Sequence, residues 1–395
     1  MKRGAWHQCG FNSQKTVWEL LQTSVGVGVI ISPKDLGRDK AIDYATDYRD
    51  AGADVLLDPQ FYIPHFSTKK LSSYPTAKFR QSIKALGTVA PAELAKAIED
   101  ENRSLRTAAV IAPAVPYEAA RADIVALNKK LFEAAKSAGD SIGVPTYGTV
   151  VLSPSATTVT VAENILSGAT ALGADGWYYA FEFGDERLPT DADAVYRYCA
   201  AGLTLACTGK PVLHACAGPM GLMAFGAGAR AAGLGFWQNL WGFEPDRWKA
   251  TEGQGGGGRA AARFFSAPLW GTIVYPDETA QLSAALRSRV MVQSPLSAPT
   301  ANSLPWKKWD AYKHLVHMTA RTVQRSADVR NARKAMNTAV KTLETASSLH
   351  AQIRRTGLQL RDNTGSYQSV WAKAGNDLLK KNARDFDYLE MIGGP

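Results

Sequence analysis

Residues 52–59 read GADVLLDP and residues 173–183 read GADGWYYAFEF. In each, the glycine closes a segment whose apolar residues recur at helical spacing: Ala41, Ile42, Ala45 and Tyr48 before the first, Val161, Ile165, Leu166 and Leu172 before the second. Glycine just past the last periodic residue is a helix cap. The same tripeptide then opens a short apolar run, so both places are corners at which a helix hands the chain to a strand.

Working outward, eight such runs alternate with helical segments. They are VGVGVIISP (25–33), ADVLLDP (53–59), TAAVIAP (107–113), TYGTVVLSP (146–154), GWYYAFEF (176–183), KPVLHACAG (210–218), GLGFWQN (233–239) and LWGTIVYP (269–276). Strands that are nearly continuous in apolar residues, and separated by helices, pair in parallel with both faces covered. Eight units predict an α/β protein, a (β/α)8 TIM-type barrel over residues 1–293 with an N-terminal arm. An open doubly wound sheet is the rival, but it calls for a glycine fingerprint after the first strand. Here that strand runs into SPKDLG instead.

The first four candidate strands share one ending: Ile31-Ser32-Pro33, Leu57-Asp58-Pro59, Ile111-Ala112-Pro113 and Leu152-Ser153-Pro154. Proline has no amide hydrogen for the ladder, so it stops the strand and holds the preceding residue extended at the rim. Asp58 fills the slot that Ser32, Ala112 and Ser153 fill elsewhere. Its simplest role is to initiate an Asp-Pro turn, while its place at a strand end points to chemistry.

A Pro/Ser-rich linker, SPLSAPTANSLP, covers 294–305. Beyond it, Val329, Ala332, Met336, Val340, Leu343, Ala346 and Leu349 step by threes and fours, which predicts a small helical appendage over 306–395. This appendage is the basic part of the chain. It holds 16 of the 45 Lys and Arg and 8 of the 36 Asp and Glu, hence eight of the nine net positive charges.

The composition, 46% hydrophobic and 21% charged over 395 residues, is that of a folded domain with ample core and excludes wholesale disorder. Cys9, Cys199, Cys207 and Cys216 have neither zinc-site spacing nor disulfide-scaffold density, which suits a reducing compartment. The basic start MKRG is not followed by an apolar segment, and the greasy tract 217–237 is broken by glycines and Arg230. The expectation is a cytoplasmic protein without a membrane span.

Barrel enzymes build their sites at the C-terminal ends of strands. The polar residues found there nominate Asp58, Glu182 and His214 as catalytic groups. The alternation in GWYYAFEF sends Trp177, Tyr179 and Phe181 toward the helices and Tyr178, Ala180 and Glu182 into the barrel. Glu182 would serve as acid/base, Asp58 as second carboxylate or nucleophile, and His214 as proton relay. A glutamate paired with Arg187 or Arg247, or a core histidine bonded to backbone, is the structural alternative. Gln60, Tyr62, Arg187, Gln238, Asn239 and Arg247 are the candidates for positioning substrate.

Two glycine-rich stretches could receive phosphate: Gly218 and Gly221 after the sixth strand, and Gly256, Gly257 and Arg259 before the last. No cofactor is implied. A divalent metal held by two carboxylates and one imidazole is conceivable, although no compact motif such as HExxH is present.

Together these features suggest hydrolase or glycosyl-transfer chemistry on a small sugar-, nucleotide- or phosphate-bearing substrate. The alternative is a silent barrel scaffold whose basic tail (Arg321, Arg325, Arg330, Arg333, Lys334, Lys341, Arg354, Arg355, with Trp306, Trp309 and Tyr312 for stacking) binds nucleic acid or a partner protein. The tail helices could equally pack a homo-oligomer.

Overall fold

The structure is a computed structural model. It describes residues 1–63, 66–80, 90–118, 121–156, 158–184, 186–248, 262–294, 306, 308–362 and 365–394. Eight parallel strands form one sheet: β1 (Gly4–Gln8), β2 (Gly28–Ile31), β3 (Asp54–Leu57), β4 (Val110–Ile111), β5 (Thr146–Leu152), β6 (Gly176–Phe181), β7 (Val212–His214) and β8 (Ala231–Gly235). Their spatial order is β3-β2-β1-β8-β7-β6-β5-β4. At the remaining seam the Ala108 amide donates to the Val55 carbonyl at 2.9 Å, which bridges the β3 and β4 edges. The sheet is a nearly closed barrel.

Helices follow the strands in turn: α1 (Gln14–Gln22), α2 (Arg38–Asp50), α3 (Pro91–Leu105), α4 (Ala122–Ile142), α5 (Val159–Thr170), α6 (Ala192–Ala206) and the short α7 (Gly221–Ala224). The two faces of each strand bury into different layers. Trp6, Ile30, Leu56, Tyr147, Tyr178 and Leu213 fill the lumen. Ala5, Val29, Val55, Trp177, Tyr179 and Val212 pack against the helices. The alternation read from GWYYAFEF is thus the one observed. Filling the lumen places demands on neighbours: a Cβ on Gly28 would sit 2.5 Å from the Trp6 ring, so only glycine fits opposite it.

The ring contains one strand that the apolar pattern does not show and excludes one that it does. The N-terminal arm is β1, in the middle of the sheet, with His7 opposite Val29 on one side and Leu234 on the other. Two of its five residues, His7 and Gln8, are polar, so it shows no apolar run. Some of its polar atoms meet particular partners, as where His7 Nε2 meets the Val25 carbonyl at 2.8 Å. The run at 269–276, expected to close the ring, lies outside it. There β10 (Gly271–Tyr275) pairs antiparallel with β9 (Ala262–Ser266) in a separate hairpin. The short helices α8 (Asp277–Gln281) and α9 (Ala284–Val290) follow.

The C-terminal helices are α10 (Lys308–Asp328), α11 (Ala332–Arg355), α12 (Ser366–Lys381) and α13 (Ala383–Met391). They form a helical appendage, yet they share the barrel's core. α10 lies along β1 and β8, where Gln324 Oε1 accepts the Ala5 amide at 2.9 Å and Arg3 Nε donates to the Ala327 carbonyl at 2.7 Å. α12 packs on α11 and α6, and Trp371 Nε1 donates to the Pro189 carbonyl at 2.8 Å. Leu315, Met336, Leu343, Trp371 and Leu378 belong to the same buried cluster as the helix-facing strand residues. Among the described residues no helix is long and apolar enough to cross a membrane.

Candidate site at the carboxyl end of the barrel

Asp58 follows β3 with the parity of Leu56, so its side chain turns into the lumen. It is 1% exposed. Oδ1 accepts the Tyr62 hydroxyl at 2.8 Å and the Gln60 amide at 3.1 Å, and Oδ2 accepts the Tyr178 hydroxyl at 3.0 Å. Tyr178 reaches it from β6, across the barrel. Gln60 adopts a left-handed backbone, φ 55°, which aims its amide back at the carboxylate.

All three donors are neutral, and among the described residues no basic side chain forms an ion pair with Asp58. Burial pushes its carboxyl above the usual range, opposed by the three hydrogen bonds and by the more distant charge of Arg247. Burial, then the charge of Asp58, pushes both phenols well above their ordinary value, so they remain donors.

A chain of hydrogen bonds leads from this carboxylate to a charged pair. Gln60 Nε2 donates to Ser32 Oγ at 2.8 Å, and Ser32 Oγ donates to Asp35 Oδ2 at 2.8 Å. Asp35 Oδ2 also receives Arg247 Nη2 at 2.6 Å, with side-chain exposures of 10% and 6%. Lys34 Nζ stands 3.9 Å from Asp35 Oδ1, and the Lys34 amide donates to Gln60 Oε1 at 3.1 Å. From β1, Gln8 enters the lumen 1% exposed; its Oε1 accepts the Cys216 amide at 3.0 Å, while its Nε2 has no partner among the described residues.

Of the nominated residues, the structure therefore brings Asp58, Gln60, Tyr62 and Arg247 together. Glu182 continues the ladder beyond β6, its amide bonded to the Leu152 carbonyl at 3.0 Å. It is half-buried and on the face of Tyr178, four residues and roughly 13 Å farther along the strand. Arg187 lies outside on the rim, paired with Glu244 at 2.8 Å. Gln238 and Asn239 occupy the turn after β8, half-buried and exposed respectively.

His214 is not brought to this site. Leu213 and Ala215 take the lumen positions, so the imidazole faces α6. Its Nδ1 meets the Tyr198 hydroxyl at 2.8 Å, its ring packs edge-on against Tyr179 and Tyr198, and burial drops it to about 3. The relay role expected of it lacks a path to Asp58. Cys216 departs from the alternation instead: φ 49° turns it into the lumen cluster, and burial raises its thiol to about 12. It is a poor nucleophile there.

Gly218 and Gly221 are explained by close packing. A Cβ would fall 2.6 Å from the Trp241 backbone at the first and 2.9 Å from Leu234 at the second. Gly256, Gly257 and Arg259 lie outside the described residues. No group of three or more His, Cys, Asp or Glu among the described residues is arranged to hold a metal.

Aromatic rings border the mouth near β1 and β8. Phe11 is 57% and Trp309 39% exposed, and Trp237 joins Tyr312 edge-on with centroids 4.7 Å apart. Lys70 Nζ sits 4.6 Å from the Phe11 ring. Trp306, expected to stack ligands, is packed away against Phe264 and Tyr275.

The residues missed in the sequence are Gln8, Lys34, Asp35 and Tyr178. Tyr178 was legible as inward-facing, Lys34 and Asp35 stand in the SPKDLG that follows a strand end, and Gln8 was hidden with its strand. No protein-family model matches this chain, and comparison with curated proteins finds no match, so the chemistry has to be argued from these side chains.

Proposed function

We propose that the protein is an enzyme whose reacting group is the Asp58 carboxylate, acting at the carboxyl end of the barrel. One observation carries this reading: Asp58 is 1% exposed and, among the described residues, its hydrogen bonds come only from neutral donors, so its negative charge is offset by Arg247 and Arg80 through space and not by a direct ion pair. Such an arrangement costs stability in the resting protein, and positive charge developing on a bound substrate relieves that cost. Transfer at a glycosidic carbon, through an oxocarbenium-like transition state, develops that charge.

Tyr62 and Tyr178 fix the carboxylate's orientation as neutral donors. Glu182, at the rim on the same side as Tyr178, is the second carboxylate and serves as proton donor to the leaving group. Gln8 Nε2 offers a hydrogen-bond donor inside the lumen. The Lys34, Asp35 and Arg247 cluster recognises polar or anionic parts of the substrate. The exposed faces of Phe11 and Trp309 suit a flat ring, which favours a nucleoside, nucleotide or glycoside over an open-chain substrate.

The experiment is a product assay by chromatography on panels of nucleosides, nucleotides and simple glycosides, with wild type, Asp58→Asn and Glu182→Gln. The expected outcome is release of a free base or sugar by the wild type and loss of turnover in both folded variants. Turnover that survives in Asp58→Asn would refute the reading.

A further inference from the structure

The opposite end of the barrel holds a second cluster that the proposed chemistry does not use. Arg3 precedes β1, Arg230 precedes β8 and Arg330 follows α10. Because β1 and β8 are neighbours and α10 lies along both, the three guanidinium groups converge on one cavity of about 590 Å³. Its wall also includes Asn331 and Ala332, at the start of α11, and Glu390. The volume is in the range of small-molecule sites, roughly 300–1,000 Å³.

The charges in this cavity are poorly balanced. Arg3 is held in place by three carbonyls, Ala327 at 2.7 Å, Ala229 at 3.1 Å and Val329 at 3.3 Å. Arg230 spends Nε on the Met1 carbonyl at 2.8 Å, and neither Arg230 nor Arg330 has an acidic partner among the described residues. The carboxylate on the wall, Glu390, is 3.5 Å from Arg333 Nε, outside the triad. Asp328 acts on Arg3 only through space. Burial first, then repulsion from Arg230 and Arg330, lowers Arg3 to about 10.

Like charges gathered around one cavity and outnumbering the carboxylates on its wall are unfavourable until an anion enters. Guanidinium forks match tetrahedral oxyanions in both charge and geometry. The amides at the start of α11 add to the field, although the Asn331 side chain already accepts that of Lys334 at 2.8 Å.

We propose that this cavity binds a phosphoryl dianion, either free phosphate or a phosphate monoester of a small molecule. The site is independent of Asp58, and its ligand is held by Arg230 and Arg330 with Arg3 fixed behind them.

Equilibrium dialysis of radiolabelled inorganic phosphate against the full chain tests this, using wild type, Arg330→Gln, Arg230→Gln and Asp58→Asn. Saturable binding with one site per chain is expected. It should weaken about tenfold or more in each arginine variant and stay unchanged in Asp58→Asn. Arg330 is exposed, so its variant keeps the fold even if Arg230→Gln does not. Competition by an alkyl phosphate at lower concentration than free phosphate would assign the site to the ester, and weaker competition to the free ion. Absence of saturable binding, or equal binding by wild type and Arg330→Gln, overturns the proposal.

Discussion

The two ends of the barrel treat charge in opposite ways. At the carboxyl end, Asp35 pairs with Arg247 and Glu244 with Arg187, while Asp58, among the described residues, has only hydroxyl and amide donors. At the amino end three guanidiniums line a cavity, and among the described residues Arg230 and Arg330 have no acidic partner. An ion pair supplies its own balancing charge and so gains less from a ligand. A charge with no direct ion pair is tolerated only where the rest of the fold supports it, and it is the place where a ligand gains most by binding.

The contrast breaks first at Asp58. Asp58→Asn is expected to lower kcat/KM by about a thousandfold or more in steady-state assays. Because burial raises its carboxyl, the ionised form is a cost to the fold at neutral pH, so the variant should melt no lower than wild type at pH 7. A large drop in melting temperature with activity retained would make Asp58 a structural group.

Glu101 sharpens the comparison, since it is a buried carboxylate outside the lumen. It is 2% exposed on α3, accepts the Thr76 amide at 2.7 Å and is pushed up to about 7 by burial. The folded state therefore keeps a proton that the unfolded chain releases near 4.5. Its contribution is complete below about pH 4.5 and is lost as pH rises to about 7, a change of up to about 3 kcal/mol. Urea unfolding at pH 5 and pH 8 should show that loss in wild type and a smaller one in Glu101→Gln. An identical loss in both proteins would mean that burial alone does not hold its proton.

His214 tests the two faces of a single strand. His214→Ala should cost about 2 kcal/mol of stability through lost packing, with kcat unchanged. A fall in kcat with the fold intact would place the imidazole in the reaction after all.

The smallest effect is expected at Tyr178. Tyr178→Phe removes a donor that lowers the Asp58 carboxyl, so the acid limb of the kcat/KM profile should move to higher pH by about one unit. No movement of the limb would show that a different group sets it.

Local pattern made much of this legible, and the reasons are physical. Helix caps at Gly52 and Gly173, apolar runs and a proline after each of several strand ends are short-range signals, and they were enough for a (β/α)8 barrel with helices after it. The parity of a strand is also local, so the inward positions of Tyr178 and Ala180, and the strand-end slot of Asp58, could be assigned from sequence. β1 could not, because its polar residues are stabilised by partners distant in the chain. Gln8 Oε1 serves the Cys216 amide, and the Ala5 amide is met by Gln324.

The sequence alone therefore determined the repeating unit and the alternation within a run such as GWYYAFEF, since both depend on backbone geometry within a few residues. Only the tertiary structure decided which of those side chains meet. It set Tyr178 across the lumen from Asp58, turned His214 against Tyr198, and gathered Arg3, Arg230 and Arg330 at the far end. Closing a sheet into a ring makes neighbours of residues more than a hundred positions apart, and no local pattern records that closure.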